Sequence, residues 1–189
     1  MKSIKYDYME HWTIPTPVGY MKPFGRRSYM EKNVKELAAR GFSGFQLMAA
    51  SMATYARMFG GEKGTLVDFE KFIQDCGMDG ITGMFWCNLS DRHETSSINP
   101  DFHDNILQIA RNFAEQAKGT SIDTYIYMPA GCYCYEMPVT DDNVHILADL
   151  ANKMGKMLLE DYGIRLTCHH EFWCGLRDYD EIIKYYEWT

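Results

Sequence analysis

An α/β fold built on a parallel sheet is what this sequence predicts, and three observations carry the prediction. Helical stretches close at a glycine, and a short apolar run follows each within a few residues. Five such apolar runs begin about 38, 37, 42 and 42 residues apart. The turns from helix to next strand are short (GFS, GMD, GTS, GI), whereas the loops from strand to next helix are long and rich in polar and aromatic side chains. Strand, loop, helix, glycine, strand is the mark of βαβ units. The long loops assign function to the face formed by the C-terminal ends of the strands.

The candidate strands are KYDYMEHW (5–12), SGFQLMA (43–49), GITGMFWC (80–87), IDTYIYM (122–128) and IRLTCH (164–169). The first helix is expected from about Ser28, a good N-cap, to Gly41, with Tyr29, Val34, Leu37 and Ala38 near helical spacing. The second runs from Thr65 to Cys76 and closes at Gly77. Asn99-Pro100 opens the third, since proline suits a first turn, and Gly119 ends it. The fourth spans Asp141 to Gly163, and Asp178 opens the fifth with Glu181 placed for a capping box. FGGEKGT (59–65), with three glycines, reads as a flexible strand-to-helix loop.

Two architectures fit this order. A doubly wound five-stranded sheet would be complete in 189 residues. A (β/α)8 barrel with this repeat needs roughly 300 residues, so the chain would be a single domain, 1–189, holding about the first five βα units. The first strand runs into WTIPTPVGYMKPFGRRS, an aromatic and proline-containing loop unlike the tight glycine turn of a nucleotide binder, and this favours the barrel. Five open units would expose two sheet edges, so the chain is expected to need the missing units, a partner chain in a hetero-oligomer, or edge-to-edge association as a homo-oligomer.

Composition narrows the function. A net charge of −7 with no Lys/Arg-rich stripe argues against nucleic acid. No run of 18 apolar residues and no signal-peptide apolar region occur, so a soluble cytoplasmic protein without membrane contact is expected. Cys76, Cys87, Cys132, Cys134, Cys168 and Cys174 show no paired framework and read as reduced thiols. Nothing matches a dinucleotide fingerprint, a P-loop or a serine nucleophile elbow.

The stretch GIRLTCHHEFWCGLRDYDEI (163–182) carries the strongest chemical signal. Residues two apart on a strand share a face, so His169 and Glu171 point together and His170 points away. Imidazole plus carboxylate suits a divalent transition metal, Mn2+ above all. A hydrogen-bonded pair lining the core rim is the plainer alternative. His145, near the start of the fourth helix, can reach the same face as general acid or base, and a partly exposed helix residue is its alternative. Tyr135 and Glu136 in the preceding loop, and Trp12 at the end of the first strand, suit stacking and hydrogen bonding to a sugar ring, with structural packing as their alternative. His93 and His103 lie in a polar loop and are expected to be solvated.

The order of units and the phrase LEDYGIRLTCHHEFWCGLRDYDEIIKYYEWT resemble the xylose-isomerase-like TIM barrels, which include sugar phosphate isomerase/epimerases and inosose dehydratases. In that family a glycine, an apolar strand and a pair of His/Glu residues two apart form the fifth strand and its metal ligands. The resemblance implies that His169 and Glu171 are metal ligands, here in the order His–Glu rather than the commoner Glu–His or His–His. It further implies a sugar, keto-sugar or cyclitol substrate and proton abstraction beside a carbonyl, with His145 and Glu171 as the catalytic residues. The aromatic loops are also similar to those of C-glycoside deglycosidase catalytic subunits, which act with a small partner subunit on 3-keto-sugar glycosides. A non-catalytic sugar-binding subunit is the reading from another class.

Overall fold

The computed structural model describes residues 6–9, 27–87, 96–129, 140–170 and 176–189. Five strands form one sheet in the order β1-β2-β3-β4-β5: Tyr6–Met9, Phe42–Met48, Gly80–Cys87, Thr124–Met128 and Arg165–Cys168. The pairings β1–β2, β2–β3 and β4–β5 are parallel. Sequential order is what the barrel reading expects, and a doubly wound sheet would place the first strand inside the order. The helices are α1 (Arg27–Ala39), α2 (Met52–Gly60), α3 (Leu66–Asp75), α4 (His103–Ala117), α5 (Asp141–Tyr162) and α6 (Tyr179–Trp188). Contacts cluster into two compact units, residues 1–85 with 116–123 and residues 86–115 with 124–189.

In the first unit the core centres on Phe69 of α3, which is fully buried. Its ring meets Phe45 of β2 edge-on at 5.7 Å and stacks on Tyr55 of α2 at 4.4 Å. Thr65 starts α3 with a capping box, its amide donating to Asp68 Oδ2 at 2.7 Å. Helix α2 corrects the sequence reading, which left this segment without a helix. Met52 and Tyr55, three apart, supply a buried face, and the helix stops where Gly61 takes φ 73°.

A buried carboxyl fastens this unit. Glu70 of α3, only 6 % exposed, accepts at Oε1 from the Ile81 amide (3.2 Å), the Ser121 amide (2.8 Å) and the Ser121 hydroxyl. Leaving such donors unmet in a buried site costs about 1–3 kcal/mol each, so the carboxyl substitutes for water that burial removes. Gly80 makes room for it. With φ at +154°, a Cβ there would stand 2.5 Å from Ser121 Oγ and 2.9 Å from Glu70 Oε1.

In the second unit Thr140 caps α5, its hydroxyl accepting from the Asn143 amide at 3.3 Å, and Gly163 ends the helix in the left-handed region at φ 70°. Val144, Leu147, Ala148 and Ala151 of α5 pack with Leu176 and with Tyr185 of α6. The expected Asp178–Glu181 capping box opens α6. Strand β5 differs from the buried strand expected from sequence. Leu166 and Cys168 are half-buried, and Arg165 and Thr167 are exposed. Among the described residues it lies at the edge of the sheet, with a strand on one side only.

Candidate functional site

The parallel ladder continues one residue past β5, where the His169 amide donates to Tyr127 O at 2.9 Å. Leu166 and Cys168 pack against the α5–α6 cluster. His170 follows them to that side, its Nε2 lying 3.3 Å from the Tyr186 hydroxyl of α6 and its Nδ1 3.6 Å from Cys168 Sγ. Alternation along an extended chain therefore sets His169 on the opposite face, with Arg165 and Thr167. Glu171, expected to share that face, lies outside the described residues, as do Trp12, Tyr135 and Glu136.

The helix-facing side of this strand end is protonically quiet. Burial pushes the Cys168 thiol up to about 12, against a smaller lowering by the hydrogen bond from Tyr185. Burial also raises the Tyr185 and Tyr186 phenols. It lowers His170 below the usual imidazole value, and the neighbouring His169 adds to the effect. A thiol held this firmly protonated is not a nucleophile at neutral pH.

His145 is exposed near the start of α5, and its ring lies flat on the Trp188 indole of α6, centroids 3.4 Å apart and planes within 9°. The same two helices are joined by Lys184 and Asp141 at 2.5 Å and by the Asn152 amide donating to Trp188 O at 2.8 Å. One face of the imidazole is thus covered, while its edge carries the two nitrogens. His145 reaches α6 and His169 reaches β4, so the two candidates are anchored on different elements.

His103 was expected in solvent and is instead 5 % exposed, its Nε2 2.8 Å from Ser97 O. Ser96 and Ser97 are buried beside it, on the loop that follows β3. The available signal was the apolar Ile98 next to the proline-opened helix start. Ile98 packs on the α5–α6 cluster. Among the described residues no three of His, Cys, Asp and Glu gather closely enough to hold a metal ion. No helix among them is long and apolar enough to cross a membrane.

No family model matches the sequence, and no curated protein matches it. Solved structures do. One is a sugar phosphate isomerase/epimerase from Parabacteroides distasonis, with a TM-score of 0.58 at 11 % identity over 88 % of this chain and 50 % of that one. The chain therefore spans about half the length of that protein. At this identity the likeness is one of fold alone: an α/β chain with a parallel sheet.

Proposed function

We propose that the chain forms the first five βα units of a (β/α)8 barrel and serves a metal-dependent sugar isomerase or epimerase. The observation that carries this reading is the placement of His169 just past the C-terminal end of β5, on the face away from the helices, in a sheet of sequential parallel order. The likeness of fold to a sugar phosphate isomerase/epimerase supports it. Substrate ends of parallel α/β sheets lie at the strand C-termini, so a group there meets the substrate rather than the core. The substrate class is a sugar, keto-sugar or cyclitol.

A divalent ion, Mn2+ first, belongs to the proposal, with His169 and Glu171 as its ligands in this chain. When bound it would polarise the substrate carbonyl oxygen. The described residues supply His169, and no three donors gather among them. Proton transfer beside the carbonyl is assigned to Glu171 and His145, whose ring nitrogens remain at the edge of the Trp188 stack. Return of the proton at a neighbouring carbon gives isomerisation, and return on the other side of the same carbon gives epimerisation.

The test is solvent exchange. A panel of ketoses and inososes is incubated with the protein in D2O, with and without Mn2+, and deuterium wash-in beside the carbonyl is followed by NMR. Wash-in that requires Mn2+ is expected, with a loss of about a hundredfold or more in His169→Ala at unchanged melting temperature. Sugar binding without exchange, whatever divalent ion is added, would replace the enzyme with a binding subunit.

A further inference from the structure

We draw no further inference here: the strongest candidate, the buried side-chain cluster of Ser96, Ser97 and His103 at the start of α4, has its imidazole Nε2 on the Ser97 carbonyl at 2.8 Å, and nothing among the described residues shows a ligand or partner that the cluster would meet.

Discussion

Strands β2 and β5 are both short, parallel and apolar in sequence, yet they end in different states. Strand β2 lies between β1 and β3, and Phe45 and Leu47 are 3 and 0 % exposed. Among the described residues strand β5 pairs with β4 alone, and two of its four residues are exposed. Part of the difference is in the side chains, since the exposed residues of β5 are Arg165 and Thr167, yet Leu166 is only half-buried where Leu47 is fully buried. That part lies in the number of neighbours. An interior strand is covered by what flanks it, whereas an edge strand keeps for solvent or a partner whatever the sheet does not cover.

Substitution should separate the two strands clearly, and the largest effect belongs to β2. Leu47→Ala removes a fully buried side chain from a packed interior and is expected to cost about 3 kcal/mol in chemical denaturation, within the usual range for such truncations. A cost below about 1 kcal/mol would mean that β2 is no better packed than the edge.

An intermediate effect should come from pH at the end of β5. The folded chain holds His170 below its ordinary value, so the unfolded chain takes the proton first as the solution is acidified. The stability from keeping this ring neutral is present above the unfolded imidazole value and is lost as pH falls below it and through the folded one. His170→Gln should flatten the slope of stability against pH over that window. A slope identical in wild type and variant would show that the ring is as free in the folded chain as in the unfolded one.

The smallest effect is expected at Thr167, exposed on the edge strand. Thr167→Val keeps the β-branched shape, gives up the hydroxyl, and should change stability by no more than about 0.5 kcal/mol. A loss several times larger would mean that the edge is covered in solution, and would turn the contrast with β2 into a likeness.

Local chemistry made much of the fold legible. Thr65 with Asp68 and Asp178 with Glu181 are capping boxes that can be read from spacing, and Gly163 marks a helix end because no other residue takes φ 70° so cheaply. The spacing of the apolar runs marked the strands, and the aromatic, proline-containing loop after the first of them favoured the sequential order. Helix α2 escaped because its polar side is thin and it ends among glycines, so its periodicity resembled a loop. The exposure of β5 was hidden for a different reason, since a strand's own residues do not say how many neighbours it will have. At the candidate site, His169 was expected as the last residue of the fifth strand and lies one residue past Cys168, where β5 ends, whereas the polar loop before His103 gave no sign of the Ser97 carbonyl that its buried ring meets. The roles of Trp12, Tyr135, Glu136 and Glu171 rest on the sequence, since these residues lie outside the described ones.

The Glu70 carboxyl has a consequence for the order in which the chain matures as it is synthesised. Two of its three donors belong to Ser121, 51 positions downstream. A nascent polypeptide that has emerged only as far as β3 can lay α3 on its sheet, but the carboxyl must then remain wet. Dehydration of that point waits until the segment 116–123 has arrived, after all of residues 86–115 have been made. A single side chain thereby couples the closure of the first unit to the synthesis of the second. Until Ser121 docks, Gly80 holds open a hydrated gap, and a pause in translation before that residue should leave the start of β3 accessible to proteases and to hydrogen exchange.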